Sequence, residues 1–285
     1  MPEQFEVSRM ADYLKQHQLE KQGLKNLRFP NQGDRMLKNI DEVKLAAFLK
    51  DRQLLAITCK AKYTFLHFES GTLVWHYRFT GIPHLKGKPY QENLYTLFSL
   101  PIHLKETKHC RMIMTFEKDE LYYIDTRCLS ALNFFEEREP RETPIYKTLA
   151  NDLNHDLEPD FRLFKQQTRS RKINIKQWLL LQDTAPSGIG NYLACEILAA
   201  ARLHPFMTVK DLEESHYEAL RKAIKSVREQ ARKSPSYEWF LVFNRKKCRR
   251  CDAKVLKERL PKNSQTSHFC AHCQTLKSMI KYVNL

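Results

Sequence analysis

Four cysteines near the carboxyl end of the chain have a spacing that suits a metal ion. Cys248 and Cys251 form one C-x2-C pair, Cys270 and Cys273 form another, and eighteen residues separate the two pairs. Two tight turns of this kind present four thiolates to one tetrahedral Zn²⁺, with each sulfur about 2.3 Å from the metal. Since protein sulfurs fill all four positions, the predicted zinc is structural. Iron or a redox-active thiol pair is the alternative.

The chain between the two cysteine pairs is strongly basic, and a zinc-stapled hairpin with this charge suits nucleic-acid phosphates. The alternative is a zinc ribbon that only stabilises the fold or binds another protein. The remaining cysteines lack ligand spacing and are predicted to be packed thiols in a reducing compartment; they are Cys59, Cys110, Cys128 and Cys195.

The amino terminus offers a second candidate for chemistry. The sequence begins Met1-Pro2-Glu3, and a small second residue favours removal of the initiator methionine. Pro2 would then carry a secondary amine, and α-amino groups titrate near about 7.7–8.0, so a useful neutral fraction can act as a nucleophile. The neighbouring Glu3 carboxylate could transfer protons at the same centre. The alternative is an ordinary start of the chain with no chemical role.

A glycine-containing turn in the second half could bind phosphate. Ser187-Gly188-Ile189-Gly190-Asn191 lies between two helical patterns, and the free N–H groups at a helix start can hold an anion. A plain helix–helix turn is the alternative. The sequence lacks the phosphate-loop and dinucleotide-binding glycine patterns, so a nucleotide-binding fold has no support.

Composition restricts the partners and the compartment. The formal net charge is +15, from 48 Lys and Arg against 33 Asp and Glu, which favours a polyanion such as DNA or RNA. An anionic membrane face and a merely solvated basic surface are the alternatives. No apolar stretch approaches the about 20 residues needed to span a bilayer, and the amino terminus lacks a signal-peptide core. We therefore predict a cytoplasmic protein of bacterial type that makes no membrane contact.

The elements that must position these residues change character along the chain. Residues 4–19 have the spacing of an amphipathic helix, and β-rich runs follow over residues 54–79 and 112–124, with turns at residues 69–71 and 118–119. Residues 1–135 are therefore predicted to form an antiparallel β-sandwich with an N-terminal helix. A charged, proline-containing linker is predicted over 136–149, helices over 150–239 and the cysteine finger over 240–285. The predicted class is α+β.

Three motifs in this order resemble one family. They are MPEQFEV at the start, SGIGNYLACEILAAARLHP in the helical part and FCAHCQ at the end of the finger. Together they resemble the formamidopyrimidine-DNA glycosylase / endonuclease VIII family over essentially the whole chain. GIGNYL is similar to the helix–two-turn–helix signature of that family, and its Tyr-Leu is nearer the endonuclease VIII branch. The resemblance implies a monomeric base excision repair enzyme that removes oxidised bases from double-stranded DNA and cuts the strand at the abasic site.

The resemblance also implies roles for individual residues. Pro2 would attack C1′ of the sugar and form a Schiff base, Glu3 would be the general acid at the sugar ring, and Glu6 would support them. Lys62 and Asn191 match residues that contact phosphate.

Two loops would act on the DNA when the damaged nucleotide is flipped out. Arg78 and Phe79 match the intercalating loop, while Arg127 and Leu129 match its partner loop. For Phe79 a place in the sheet core is the alternative, and for Arg127 a surface position.

The chain departs from the family pattern at several places. The family finger carries an arginine five residues before the third cysteine, where this chain has Gln265, which supplies no charge and no bidentate fork. The second loop has Leu129 where the purine-oriented branch has phenylalanine, and the tail 275–285 continues past the usual end of the finger. A catalytically weak or silent damaged-DNA-binding protein on the same scaffold is therefore the second hypothesis. An unrelated zinc-ribbon nucleic-acid protein is the third.

Overall fold

The structure, a computed structural model, describes residues 2–88, 108–234, 236–259 and 265–275. The chain forms two compact units, Met1–Thr148 and Leu149–Leu285. Among the described residues, no helix is long and apolar enough to cross a membrane. Most of the carboxyl-terminal tail noted above, residues 276–285, lies outside the described ranges.

The first unit contains two four-stranded antiparallel sheets. The strands are β1 Leu24–Arg28, β2 Leu54–Lys60, β3 Tyr63–Phe68, β4 Gly71–His76, β5 Gly81–Leu85, β6 Cys110–Phe116, β7 Glu120–Asp125 and β8 Ala131–Phe135. One sheet has the strand order β1-β6-β7-β5 and the other β2-β3-β4-β8. The predicted antiparallel sandwich is confirmed, and so are the turns near residue 70 and residue 118.

Helix α1 (Gln4–Gln16) packs against this sandwich through its apolar face. Met10 and Leu14 are fully buried in the same core cluster as Trp75 of β4 and Met112 of β6. The helix ends three residues before the predicted boundary, because Gln18 has a left-handed φ of 55° that helical backbone does not allow. A second helix, α2 (Glu42–Leu49), follows β1 and was not predicted.

The predicted linker is partly helical. A short 3-10 turn spans Pro140–Glu142, and helix α3 spans Pro144–Thr148 at the end of the first unit.

The second unit begins with helices, as predicted. They are α4 Phe161–Thr168, α5 Ile175–Leu179, α6 Asn191–Ala201 and α7 Glu214–Lys233. Nearly every residue of α6 is buried, which its run of alanine, leucine and isoleucine explains. The glycine-containing turn lies directly before α6.

A two-stranded hairpin completes the second unit. Strand β9 (Val255–Arg259) pairs antiparallel with β10 (Thr266–Cys270), and the two C-x2-C pairs flank it. Cys248, Val255 and Cys270 share a small apolar cluster with Cys195 and Ala199 of α6. The hairpin therefore packs on the same helix that the glycine turn begins.

Candidate functional site

Pro2 and Glu3 directly precede the first turn of α1, where the local sequence fixes the backbone. Glu3 is the residue that caps the helix, and its backbone N–H donates to the Glu6 carboxylate at 2.8 Å. The Glu3 side chain accepts the backbone N–H of Glu6 in return, which completes a capping box. Pro2 is buried, and Glu3 and Glu6 are each only 2% exposed. Three predicted catalytic residues thus form one ordered, buried group.

Lys62 lies next to this group. It follows Ala61 in the turn between β2 and β3, and Ala61 has the left-handed φ of 55° that this tight turn requires. Burial lowers the pKa of Lys62, and the nearby Glu3 carboxylate opposes that shift. The fourth predicted catalytic residue is therefore within electrostatic range of Glu3.

His76 joins the same region and was missed by the sequence reasoning. It ends β4, pairs across the sheet with Tyr63, and its ring centroid lies 4.6 Å from that of Tyr63. Burial, reinforced by the positive charges of Arg78 and Lys62, lowers the pKa of His76 to about 3. The imidazole is therefore neutral at physiological pH and available as a hydrogen-bonding group. The one feature of the sequence that could have pointed to His76 is its position two residues before Arg78.

The two predicted DNA loops lie side by side. Phe79 and Leu129 are each 43% exposed, so a core position for Phe79 is excluded. The Arg127 guanidinium lies over the Phe79 ring, 4.9 Å from its centroid, which is cation–π geometry. Arg78 precedes Phe79 with a left-handed φ of 52°. The structure thus brings all four predicted loop residues to one end of the sandwich.

In the second unit, Asn191 is the first residue of α6. Gly188, with a φ of 97°, lies in the preceding turn. Its backbone N–H donates to Gln182 Oε1 at 2.9 Å, which holds the turn in place. Asn191 Nδ2 donates to the carbonyl of Thr266 at 3.0 Å. Gln265, which is half-buried, directly precedes Thr266. Asn191 and Gln265, far apart in the sequence, are therefore neighbours.

Lys176 binds the same part of the hairpin, and it was not identified in the sequence analysis. Its side chain is fully buried, and Nζ donates to Thr266 O at 3.1 Å and to Ser267 Oγ at 2.9 Å. A lysine between the apolar residues Ile175 and Trp178 was the only signal available. Because a buried ammonium group needs such acceptors, Lys176 fixes the start of β10 relative to α5.

Glu196 has a corresponding role at the other end of the finger. This fully buried residue of α6 accepts backbone N–H groups from Leu241, Val242 and Phe243 at 2.5, 3.0 and 2.7 Å. The segment that leads into the first cysteine pair is thereby tied to α6.

The four predicted metal ligands come together in the structure. The Sγ atoms of Cys248, Cys251, Cys270 and Cys273 lie within 4.8 Å of one another. Cys251 Sγ lies 3.5 Å from Cys270 Sγ and 3.3 Å from Cys273 Sγ. Tetrahedral Zn–S bonds of about 2.3 Å place sulfurs about 3.8 Å apart. The cluster therefore has the donor set and approximate size for one zinc ion.

Comparison with known proteins identifies the family. The family model for the formamidopyrimidine-DNA glycosylase N-terminal domain matches residues 1–132, which include the capping box and both loops. The model for the H2TH domain of the same glycosylase matches residues 151–236, which include the turn before Asn191. This chain belongs to the formamidopyrimidine-DNA glycosylase family. The family is one of DNA repair glycosylases, so the resemblance found in the sequence is confirmed.

Curated relatives of the same name align over most of the chain. The formamidopyrimidine-DNA glycosylase of Mycoplasma genitalium is 29% identical over 303 aligned positions and covers 98% of both chains. The one from Heliobacterium modesticaldum is 27% identical over 248 residues, which are 79% of this chain and 83% of that protein.

Solved structures share the fold. The Lactococcus lactis formamidopyrimidine-DNA glycosylase, non-covalently bound to DNA containing an abasic site, has a TM-score of 0.79 at 22% identity. The match covers 96% of this chain and 100% of the other. A MutM complex with DNA containing carbocyclic 8-oxo-G gives the same TM-score, identity and coverage.

Proposed function

We propose that this chain is a bifunctional DNA glycosylase and abasic-site lyase that acts on oxidised bases in double-stranded DNA. The observation that carries the proposal is the buried group at the amino terminus, in which Pro2 precedes the Glu3–Glu6 capping box beside Lys62. Family membership supports a glycosylase. The DNA complexes of the structural relatives, one with an abasic site and one with carbocyclic 8-oxo-G, support the substrate class.

The first step uses the amine that removal of Met1 would expose on Pro2. The positive end of the α1 dipole disfavours a second positive charge there, which favours the neutral amine. The nitrogen lone pair attacks C1′ of the flipped-out nucleotide, the N-glycosidic bond breaks, and its electron pair leaves with the base, which takes up the proton that the Pro2 nitrogen loses. Glu3, in its protonated form, gives its proton to the ring oxygen as the sugar opens, and a Schiff base links Pro2 to C1′.

The second step is the lyase reaction. The Glu3 carboxylate, having lost its proton, takes one from C2′, and the electron pair expels the 3′ phosphate by β-elimination. Water then hydrolyses the Schiff base and frees Pro2. In this scheme the Glu6 carboxylate orients Glu3 by accepting the backbone N–H of Glu3. Lys62 holds a phosphate close to the reacting sugar.

The four cysteines would hold one structural Zn²⁺, whose contribution is to fix the hairpin and not to take part in the chemistry. The hairpin would then present Gln265 to the DNA from the strand that Asn191 and Lys176 contact.

Borohydride trapping tests the proposal. The protein is incubated with a duplex containing an abasic site and then reduced. A covalent adduct is expected from the natural protein and much less from Pro2→Gly, because a primary amine gives an imine that must first be protonated, whereas the secondary amine of Pro2 gives the charged Schiff base directly. Pro30→Gly, a proline replacement in the same unit but outside the buried group, is the matched control and should trap normally. If the natural protein gives no adduct with abasic or oxidised-base duplexes, the enzyme proposal is wrong.

Gln265 favours a second candidate, a damaged-DNA-binding protein with weak or no strand cleavage. Its neutral amide replaces a guanidinium that the family uses at phosphate. Gln265→Arg should then raise duplex affinity and make the salt dependence steeper by about 0.9 in the log–log slope, as expected for one added phosphate contact. Tight damage-specific binding by the natural protein without any trapped adduct would establish this second candidate.

A further inference from the structure

The carboxylate of Asp125 lies at the junction of the two loops that carry the candidate DNA-contacting residues. Asp125 ends β7, is fully buried, and accepts five hydrogen bonds. Oδ1 accepts from Thr80 Oγ1 and from Arg127 N at 3.0 Å. Oδ2 accepts from Leu129 N at 2.9 Å, Ser130 N at 2.8 Å and Ser130 Oγ at 2.7 Å. Both oxygens are therefore fully used.

These donors come from two different loops. Thr80 directly follows Phe79 in the connection between β4 and β5, whereas the other donors belong to the connection between β7 and β8. A carboxylate buried away from water must be satisfied by such donors, so the two loops cannot separate without leaving part of the charge unpaired.

Close packing beneath the carboxylate reinforces the link. A Cβ at Gly81 would lie only 2.3 Å from Tyr123 Oη and 2.5 Å from Ser130 Oγ. Tyr123 Oη donates to Ser130 Oγ at 2.9 Å, and Ser130 Oγ also contacts Tyr77 O at 3.2 Å. A larger residue at position 81, where β5 begins, would have to displace these two side chains.

We propose that Asp125 is a positioning residue that makes Phe79, Arg127 and Leu129 act on DNA as one preformed unit. The inference rests on the proposed glycosylase function and adds to it. Extruding a nucleotide from a duplex costs a few kcal/mol, and side chains that are inserted into the stack help to offset this cost. The Asp125 hydrogen bonds fix the spacing of the loop side chains before DNA binds, so no ordering of the loops has to accompany extrusion.

The role predicts a difference between two substrates. A duplex with an oxidised base requires extrusion, whereas a single-stranded oligonucleotide with a preformed abasic site does not. Asp125→Asn places an NH2 group against at least two donors, and it should lower kcat/KM on the duplex about 10- to 100-fold. Borohydride trapping on the single strand should stay within about twofold of the natural protein, since no loop rearrangement affects Pro2.

Thr80→Val provides a milder variant in case Asp125→Asn does not fold. It removes only the hydrogen bond from Thr80 to Asp125 and leaves the contact between Ser130 and Tyr77 in place, so it should lower duplex excision about three- to tenfold. In a Phe79→Ala background the same change should have almost no effect, because Thr80 acts through Phe79.

Independent, additive effects of Thr80→Val and Phe79→Ala would overturn the positioning role. So would equal losses on the duplex and the single strand. Failure of the natural protein to trap even single-stranded abasic DNA would contradict the proposed function itself, so the two failures can be told apart.

Discussion

Both units use a fully buried carboxylate to hold loop backbone, but they surround it differently. Asp125 is satisfied by two loops at the end of an eight-stranded sandwich with a large shared core. Glu196 accepts three backbone N–H groups from a segment that leads to a two-stranded hairpin with a small apolar cluster. An isolated two-stranded hairpin is at best marginally stable in water. We therefore expect the loops around Asp125 to be stabilised by the core of the first unit, and the hairpin near Glu196 to be stabilised by the cysteine cluster.

Removal of the proposed zinc ion should break this comparison most clearly. Cys270→Ser or treatment with a chelator should lower duplex DNA affinity at least about tenfold, since zinc binding supplies much of the folding free energy of such fingers. The first unit should keep its fold, seen in unchanged fluorescence of the buried Trp75 after the other tryptophans are replaced. Affinity is measured by fluorescence anisotropy.

Cys110→Ser is the matched control, because Cys110 is a buried cysteine of the first unit outside the cluster. It should leave DNA affinity unchanged. Unaltered binding after verified metal loss would show that the hairpin does not depend on the cysteine cluster.

Lys176→Met should sharpen the comparison with a smaller effect. The substitution keeps the aliphatic stem but removes the hydrogen bonds to Thr266 and Ser267, and it should lower the free energy of unfolding of the second unit by about 1.5–3 kcal/mol. Lys172→Met, at an exposed lysine four residues earlier, is the control. Equal urea midpoints for the two variants would mean that Lys176 does not hold β10.

The effect that is smallest at neutral pH is that of the two buried histidines, because it develops only in acid. The pKa of His76 is lowered to about 3 in the folded first unit, and burial lowers that of His204 to about 4 in the second. Because the unfolded chain then binds more protons, each histidine makes its unit less stable as pH falls from about 6.5 towards these values, by up to about 1.4 kcal/mol per pH unit.

Unfolding in urea at several pH values checks this effect. His76→Gln should flatten the acid dependence of the first unit only, and His204→Gln that of the second only. An unchanged slope in either variant would contradict the burial argument for that histidine.

The sequence predicted the parts of the site that depend on local spacing. The four cysteines, the Pro2-Glu3-Glu6 group and the turn before Asn191 are each defined within a few residues or by one regular interval. Strand alternation and turn residues also predicted the sandwich and the positions of its hairpins. Family resemblance then related Lys62, Phe79 and Arg127 to known roles, which remain predictions for this chain.

The residues that hold the loops and the hairpin in place through long-range hydrogen bonds could not be predicted in the same way. Asp125 meets Thr80 across 45 residues, Glu196 meets Val242 across 46, and Lys176 meets Thr266 across 90. Each is a charged residue at a position where periodicity predicts only exposed or apolar character. Their roles arise from tertiary contacts that a single sequence does not contain, and His76 acquires its low pKa from the same kind of burial.

Mass spectrometry of the borohydride-trapped adduct tests the central claim most directly. After digestion with trypsin, the account predicts that the sugar fragment is attached to the peptide spanning residues 2–9, on the nitrogen of Pro2, with Met1 absent. Attachment to a lysine such as Lys62, or an adduct formed while Met1 is retained, would contradict the claim that the amino-terminal proline is the nucleophile.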